Sequence, residues 1–347
     1  MSFQLPYQLT YPLPCFTKEA SRRCPFSHRA HPLKRCARLM ALCSALALPF
    51  TVPSTAHACQ TECTPRTALV TAYSTEIEPF IKALKDRYEY RLQGTRFTVG
   101  KLNGEPVVVF MTGVSVTNAA MNTQRALDMF NVKQIVFSGI AGSVDASQHI
   151  GDVAVPARWA NYGESLYARE TNEGYQPSAT VRKSGIAPYG MIYPRLTDVL
   201  SARSRSKEER LWFPANDGLL TFAKTIGSVT LSSCASTTQC TQDAPVINIG
   251  GSGVSGSIFM DNADYRDYLH DTFDAQVADM ESGSAAQVAY ANQVPFIAFR
   301  SVSDLAGGGE DENTKHIYAA MAAKNAAAVV CAFLKQLSVS SLSASRR

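Results

Sequence analysis

The stretch DAQVADMESGSAAQVAYANQVPFIAFRSVSDLAGG, residues 274–308, decides the fold class of this 347-residue chain. It begins with an apolar run of strand length, AQVAD, continues through an Ala-rich segment of helical length and ends in a second apolar run, PFIAFRSV. Strands that are apolar on both faces are typical of a sheet covered by helices on both sides. The stretch therefore predicts a strand–helix–strand unit of a layered α/β protein.

The same alternation continues on either side of this stretch. Further strands are predicted at TALVTA (67–72), KQIVFS (133–138), DVAVP (152–156) and PVINIG (245–250). Helices are predicted from about Thr75, near 116–130, near 216–230 and over about 313–337. TRFTVGKL and PVVVFM predict a hairpin that turns at Asn103-Gly104.

We interpret residues 59–347 as a single domain, because the chain shows no internal repeat and no second type of composition. The Ser/Thr-rich segment 171–245 is interpreted as an elaboration within this domain. The tail SVSSLSASRR (338–347) is expected to be disordered. The predicted architecture is three-layer α/β/α around a central sheet.

Residues 1–58 predict an N-terminal export signal. The basic segment KRCAR (34–38) precedes an apolar run from Leu39 to Val52, and Ala56-His57-Ala58 places small residues at positions −3 and −1 of a cleavage site. The run is shorter than the roughly 20 residues of an ordinary membrane span. We therefore expect a periplasmic or secreted protein without a stable membrane span.

The charge composition argues against nucleic acid as a partner. Hydrophobic residues make up 46% of the chain and charged residues 18%, which fits a globular protein with a substantial core. The formal charge of +4 originates in the first 58 residues, which carry seven Lys/Arg and one acid, Glu19. The remaining residues hold 26 bases and 28 acids, so no basic surface is expected.

The cysteines fit an oxidising compartment. Cys234 and Cys240 bracket a polar loop, where we predict a disulfide, and Cys59 and Cys63 could form a second one. Cys331 is predicted to be a buried free thiol. The three histidines that follow the predicted signal are widely scattered, so neither a metal site nor a cofactor is predicted; they are His149, His270 and His316.

Polar residues follow several of the predicted strands, at the edge of an open sheet where sites form. They are Glu76 and Glu78, the Gly-rich turns SGIAGS (138–143) and GGSGVSGS (250–257), Asp279-Met280-Glu281 and Ser303-Asp304. Each has an ordinary alternative as a helix-capping carboxylate or a connecting turn. GSGVSG (251–256) also matches a dinucleotide-binding fingerprint, but only about 90 residues follow it, too few to complete such a domain.

Together these segments resemble the nucleoside phosphorylase/nucleosidase superfamily, in particular methylthioadenosine/S-adenosylhomocysteine nucleosidases and their exported bacterial relatives. The resemblance rests on residues 274–308, on SGIAGSVDASQHIGDVAVP (138–156) and on TGVSVTNAA (112–120). It implies a mixed, partly barrel-like sheet, a purine nucleoside as the small-molecule substrate and a homodimer. Trp159 and Tyr162 match positions where dimeric relatives lend aromatic side chains to the neighbouring site; ordinary core aromatics are the alternative.

The resemblance also implies roles for individual residues. Asp304 matches the general acid that protonates N7 of adenine, Glu76 the carboxylate that activates water, and Glu281 the acceptor for the ribose hydroxyls. Met280 matches the residue that packs on the sugar and Phe259 the aromatic that stacks on the purine. The other matched substrate-binding positions are Ile258, Met260, Ser303, Gly113 and Ile140.

Both hydrolysis and phosphorolysis are possible on this scaffold. Phosphate needs several charge-assisted donors. Superfamily phosphorylases have arginines in the first loop and before the central Gly turn. The corresponding segments here, TAYSTE (71–76) and FSGIAGS (137–143), have none. Water is therefore the expected nucleophile. Ile140 stands where nucleosidases commonly have a Ser that helps to place the water, and Ser138 or Ser115 could compensate. Plant storage proteins of the superfamily show a non-catalytic alternative.

Overall fold

The computed structural model describes residues 60–179, 184–309 and 312–344. They belong to one compact unit, Ser54–Arg347. The predicted export signal and Cys59 lie outside the described residues.

The chain forms eighteen strands and six helices over the described residues. The first elements are β1 (Glu62–Thr71), α1 (Ser74–Ala83), β2 (Lys85–Leu92), β3 (Thr95–Leu102), β4 (Glu105–Met111), α2 (Val116–Met129), β5 (Phe130–Ser143) and β6 (Val153–Val155). The middle elements are β7 (Arg158–Asn161), β8 (Ser165–Tyr167), β9 (Arg169–Thr171), β10 (Gly174–Gln176), β11 (Ile192–Pro194), β12 (Thr197–Val199), β13 (Glu208–Arg210), β14 (Phe213–Pro214) and α3 (Asp217–Ala223). The last are β15 (Ile247–Ile249), β16 (Ser252–Ser255), α4 (Ala263–Phe273), β17 (Ala275–Asp279), α5 (Ser282–Ala291), β18 (Phe296–Asp304) and α6 (Lys315–Ala344).

Twelve of the described strands form one mixed sheet, as predicted. Its main path runs β14-β7-β16-β17-β5-β1-β4-β3-β2, and β18 joins β5 to β6 and β15. β1 runs parallel to both β4 and β5, and β18 runs parallel to β5, whereas β17 runs antiparallel to β5. Because β14 and β2 lie at opposite ends of this path, the described part of the sheet is not a closed barrel.

Helices cover both faces of the sheet because successive side chains of its strands are apolar on both sides. In β1, Ala68 and Val70 pack in a cluster with α2 and α5, whereas Leu69 packs in a second cluster with α1, α3 and α6. Side chains of successive residues in a strand point to opposite faces. The predicted three-layer α/β architecture is confirmed.

The turn predicted at SGIAGS (138–143) is wrong, since β5 continues through it to Ser143. The segment pairs with β18 from Ser138 to Gly142 and with β17 at Gly142 and Ser143. Gly139 is required inside the strand, because a Cβ there would collide with the Arg300 guanidinium. Its lack of a side chain therefore serves close packing and not a turn.

The second Gly-rich segment, GGSGVSGS (250–257), turns only at its start, where Gly250 and Gly251 have positive φ between β15 and β16. Its centre forms β16, which is fully buried and is paired with β7 and β17. A Cβ at Gly253 would lie 2.6 Å from the Trp159 ring, and one at Gly256 would lie 2.6 Å from the Tyr162 ring. Here too, glycine makes room for large neighbours within a sheet.

The described part of the predicted elaboration is mostly irregular chain, interrupted by short strands and one short helix. Within 171–245, the predicted helix near 216–230 forms only over Asp217–Ala223. The predicted disulfide between Cys234 and Cys240 is present. Cys331 is a free thiol, as predicted, but it is only partly buried.

The C-terminal helix α6 is longer than predicted and reaches Ala344, so the expectation of disorder is wrong for residues 338–344. The Ser338 hydroxyl donates to the Lys335 carbonyl oxygen at 2.8 Å and to the Asn103 carbonyl oxygen at 3.0 Å, so it joins the helix to the β3–β4 turn. The segment Lys315–Val339 is long and apolar enough to cross a membrane, but a large share of it is buried inside the protein. Its Val330 and Phe333 are fully buried against the sheet, which makes α6 a core helix.

Candidate active site

A cavity of about 250 Å³ lies at the carboxyl ends of the central strands. Four carboxylates line it. One of them, Asp279, ends β17 and is 6% exposed. The other three are Glu76 in the first turn of α1, Glu281 between β17 and α5, and Asp304 at the end of β18. Each of them has no more than 4% of its surface exposed. Three almost fully buried acids around one cavity indicate a chemical role, since carboxylates are rarely buried without a reason.

Glu76 is held in place by backbone amides. Its Oε2 accepts hydrogen bonds from the N–H groups of Ala72 at 2.7 Å and Tyr73 at 3.4 Å, and its Oε1 accepts one from Ile140 N–H at 2.9 Å. The bond to Tyr73 is one of a helix capping box, but the bond to Ile140 crosses to β5 and is not. Burial raises the pKa of Glu76, although Arg300 and the three amides act against this. The other acid of this helix, Glu78, is exposed and ion-paired with Lys82, outside the cavity.

Arg300 links the acids of the site. It is fully buried on β18, with its Nε 2.8 Å from Asp279 Oδ2, its Nη2 3.6 Å from Glu281 Oε2 and its Nη1 4.0 Å from Glu76 Oε1. Its guanidinium also lies over the Phe137 ring, 4.3 Å from the centroid. A single cation that faces three carboxylates fixes their relative positions and offsets part of the cost of burying them.

Glu281 lies at the start of α5. Its Oε1 accepts a hydrogen bond from Ser115 N–H at 2.8 Å, which joins it to the loop before α2. Asp279 accepts hydrogen bonds from Glu281 N–H and Ser282 N–H, both at 3.1 Å, and so sets the direction in which the helix begins. Burial raises the pKa of Glu281 to about 7, and Arg300 opposes this shift.

Asp304 accepts hydrogen bonds from three donors. The Ser303 hydroxyl donates to Oδ2 at 2.8 Å, and Oδ1 accepts from Ala306 N–H at 3.0 Å and from Asn313 Nδ2 at 3.3 Å. A Cβ at Gly142 would lie 2.9 Å from Oδ1, so this glycine of β5 leaves room for the carboxyl group. These contacts fix the Asp304 carboxyl group at the cavity, which Phe259 also lines.

The segment 258–260 forms a largely apolar wall. The Phe259 ring is 47% exposed and carries the Lys315 ammonium 4.8 Å from its centroid, whereas Met260 is buried. The Tyr162 hydroxyl donates to the carbonyl oxygen of Ile258 at 3.3 Å and supports this wall from within the core. A flat, partly exposed aromatic ring with a nearby carboxyl group suits the binding of a planar, nitrogen-containing ring.

The structure brings nine of the ten predicted site residues together around the cavity. They are Glu76, Ile140, Ile258, Phe259, Met260, Met280, Glu281, Ser303 and Asp304. Gly113 does not line the cavity and lies instead in an adjoining cleft. The functions assigned to these residues stay predictions.

The idea that Trp159 and Tyr162 serve a neighbouring subunit's site is wrong. Trp159 has none of its surface exposed and Tyr162 only 1%, and both pack in the core of their own chain. Among the described residues there is no group of three or more His, Cys, Asp or Glu side chains that could hold a metal ion.

Sequence reasoning missed several residues of the site. The prediction did not include Arg300, which links the acids, Asn313, which donates to Asp304, or Tyr73 and Lys315, which line the cavity. An arginine inside an otherwise apolar strand, PFIAFRSV, was the available signal, because a buried arginine requires carboxylate partners.

Comparisons with known proteins show which families and folds the chain resembles. The model of the Phosphorylase superfamily matches residues 66–336. A 5′-methylthioadenosine/S-adenosylhomocysteine nucleosidase of Staphylococcus epidermidis is 26% identical over 244 residues, which is 70% of this chain and 88% of that protein. Bark storage protein A of Populus deltoides is 28% identical over 226 residues, 62% of this chain and 70% of that protein. The structure of the nucleosidase from S. pneumoniae with the transition-state inhibitor MT-ImmA has a TM-score of 0.58 at 20% identity, and the match covers 78% of this chain and 99% of that one.

Proposed function

Because the chain belongs to the phosphorylase superfamily, we propose that it hydrolyses the N-glycosidic bond of a purine nucleoside of the methylthioadenosine/S-adenosylhomocysteine type. The observation that carries the proposal is the convergence of Glu76, Glu281 and Asp304 on one cavity beside an exposed aromatic ring. Two acids that serve as base and acid, with a third that orients the sugar, are what cleavage of a glycosidic bond requires.

In the proposed reaction, the oxygen of a water molecule attacks C1′ of the ribose. The bond between C1′ and N9 breaks, and its electron pair passes to the purine, which takes a proton at N7 from the Asp304 carboxyl group. Glu76 takes a proton from the attacking water. The products are the free base and a ribose that carries a hydroxyl group at C1′.

The surroundings of each acid support its proposed role. The raised pKa of Glu76 makes its carboxylate a stronger base for the water proton near neutral pH. Glu281 has one oxygen bound to Ser115 N–H and the other 3.6 Å from Arg300, so it is a fixed acceptor for two neighbouring ribose hydroxyls. Phe259 is positioned to stack on the base that Asp304 protonates.

Phosphorolysis is the alternative reaction, and the charges around the cavity argue against it. Phosphate requires several cationic or amide donors at the position of the nucleophile. Of the described residues that line the cavity, Lys315 is the one cation, and Arg300 lies behind the acids in contact with three of them. Ile140, whose side chain lines the same wall, offers no hydrogen-bond donor from its side chain.

A nucleoside-binding or storage role is the non-enzymatic alternative, and the similarity to a bark storage protein favours it. Purified protein without residues 1–58 should release adenine from methylthioadenosine in phosphate-free buffer. Asp304→Asn should lower kcat by about 10²–10⁴-fold, the range typical of general acid–base assistance. The control is Asp267→Asn, an exposed acid on α4 outside the cavity.

Three outcomes separate the possibilities. Release that depends strictly on phosphate would identify a phosphorylase. Absence of base release from a panel of purine nucleosides, together with measurable nucleoside binding by calorimetry, would establish the binding role. Phosphate-independent release that disappears in Asp304→Asn but not in Asp267→Asn supports the hydrolase.

A further inference from the structure

A second concavity adjoins the cavity and opens to solvent. It has a volume of about 1030 Å³ and lies between α1 and the β2–β3 hairpin. Ala72, Tyr73 and Val114 line both the cavity and this cleft, so they form a shared wall. A group attached to a ligand in the cavity can therefore extend past Tyr73 and Val114 into the cleft.

The cleft is basic. Arg87, Arg91 and Arg96 line it, and the one carboxylate among its lining residues is Glu89. Arg91 Nε lies 3.1 Å and Arg96 Nε 3.3 Å from the same Glu89 Oε1, while Arg87 has no ion pair among the described residues. One negative charge against three positive charges leaves a surplus of two.

This surplus has a structural cost. Arg91 and Arg96 are directly opposite each other in the antiparallel β2–β3 ladder. Like charges at directly opposed positions destabilise a strand pair, and Glu89 alone offsets this here. An anion bound between the two arginines would offset their repulsion, and this would explain why the arrangement is present at the entrance of a site.

A further cation lies inside the cavity. Lys315, at the start of α6, lines the wall, with its ammonium over the Phe259 ring and no carboxylate of the described residues in an ion pair with it. Ala319, one helical turn further on, packs against the same small cluster as Tyr73, so Lys315 lies on the face of α6 that is turned toward the shared wall. Lys315 thus lines the same cavity as the buried acids without an ion pair to any of the described carboxylates, which leaves its charge available to a ligand.

We propose that the purine nucleoside bound here carries an anionic group, a phosphate or a carboxylate, at C5′ of its sugar, and that Lys315 and the arginines of the cleft bind this group. The inference rests on the proposed function for the orientation of the ligand. With the base at Asp304 and Phe259 and the hydroxyls at Glu281, the remaining substituent of the sugar lies toward Tyr73 and Val114. A neutral methylthio group would offer no partner to Lys315 or to the surplus positive charge of the cleft.

The test compares three substrates that share adenine and ribose: methylthioadenosine, adenosine 5′-monophosphate and adenosine-5′-carboxylic acid. We expect kcat/KM for an anionic substrate to exceed that for methylthioadenosine by about tenfold or more at low salt, and this ratio to fall as salt screens the charges. Whether the phosphate or the carboxylate compound gives the larger ratio identifies the group.

The effect of each variant is measured as the change in this ratio of kcat/KM values, anionic substrate over methylthioadenosine. Lys315→Met should lower it by about tenfold, and the double variant Arg91→Gln/Arg96→Gln by about fivefold, since exposed ion pairs contribute less. The control is Lys324→Met, an exposed lysine nine residues further along α6, which should leave the ratio unchanged. Calorimetric binding of adenosine 5′-monophosphate to the wild type and to Lys315→Met gives a readout that needs no catalysis.

The outcomes are distinguishable from a failure of the proposed function. Base release that shows no preference for the anionic substrates, or a preference that Lys315→Met does not change, overturns this inference and leaves the nucleosidase proposal standing. If no substrate releases adenine but adenosine 5′-monophosphate binds more weakly to Lys315→Met, the anion site is supported and the hydrolytic function is not. Equal binding to both proteins overturns the anion site.

Discussion

Arg300 and Gly139 depend on each other at the scale of single residues. The guanidinium of Arg300 reaches Glu76, Asp279 and Glu281 only because Gly139, on the neighbouring strand, has no side chain in its path. A buried arginine with three carboxylates is costly unless its geometry is good. The glycine is therefore part of the electrostatics of the site although it contacts no substrate.

Gly139→Ala tests this dependence. Its Cβ would collide with the Arg300 guanidinium and lie 2.8 Å from Glu76 Oε1, so both side chains would have to move. We expect a loss of about 1–3 kcal/mol in the free energy of unfolding, measured by urea denaturation, and a large loss of activity. Gly227→Ala is the matched control, because its Cβ would meet no atom within 4 Å. Equal stability of the two variants would contradict the proposed packing role.

The raised pKa of Glu281 predicts a pH dependence of substrate binding. With a pKa of about 7, the carboxylate that accepts the ribose hydroxyls is present above pH 7 and is lost as the pH falls. KM for a ribonucleoside should therefore rise by about fivefold from pH 7 to pH 6 and by about tenfold for each pH unit below that. The inhibition constant of the corresponding 2′,3′-dideoxy compound should lack this rise. A KM that is constant from pH 5 to 8 would show that Glu281 is not the titrating acceptor.

At the scale of elements, strands with apolar side chains could be predicted and strands with glycines could not. The predicted strands at 67–72 and 133–138 and the hairpin at Asn103-Gly104 are present, the latter with positive φ at both turn residues. β2 was missed because its sequence, KDRYEYRL, is mostly charged and exposed at the edge of the sheet. The Gly-rich segments were interpreted as turns because the side chains that fill the space beside them, Arg300 and Trp159, are distant in the sequence.

The candidate site, too, could be predicted from the sequence only in part. Carboxylates at strand ends could be predicted, because the carboxyl ends of parallel strands meet at one edge of the sheet. The partners that orient them could not be: Asn313 reaches Asp304 from the loop before α6, and Ser115 N–H reaches Glu281 across the sheet. Such contacts depend on where loops of irregular structure place single polar groups.

The last turns of α6 give a prediction for an element. Ser338 is 7% exposed and joins the helix to the β3–β4 turn, and Asn103 Nδ2 donates to the Cys331 carbonyl oxygen at 2.8 Å. Deletion of residues 338–347 should therefore lower the free energy of unfolding by about 1–3 kcal/mol, measured by urea denaturation. Deletion of 345–347 alone is the control. No loss of stability in the longer deletion would restore the expectation of an unstructured tail.

At the scale of the whole molecule, all the proposed chemistry lies at one end of the sheet, where the central strands have their carboxyl ends. Residues from α1, β5, the segment before α4, the start of α5, β18 and α6 line the cavity, so it forms only when these elements are assembled. The disulfide Cys234–Cys240 lies apart from it, in the elaboration, and none of its residues lines the cavity. Stability and chemistry can thus be changed separately.

The disulfide and the predicted export signal make one joint prediction. Closing a loop of this short separation, six residues, contributes about 2 kcal/mol by restricting the unfolded chain. Such a bond persists in an oxidising compartment and not in the cytoplasm. Protein recovered from the periplasm or medium should lack the residues before Cys59. A reductant should lower the free energy of unfolding of the wild type by about 2 kcal/mol more than that of Cys234→Ser/Cys240→Ser, which lacks the bond. Cys331→Ala, which removes a free thiol, should leave that loss intact. Recovery of the full-length chain in the cytoplasm with both thiols reduced would contradict export and leave the proposed chemistry untouched.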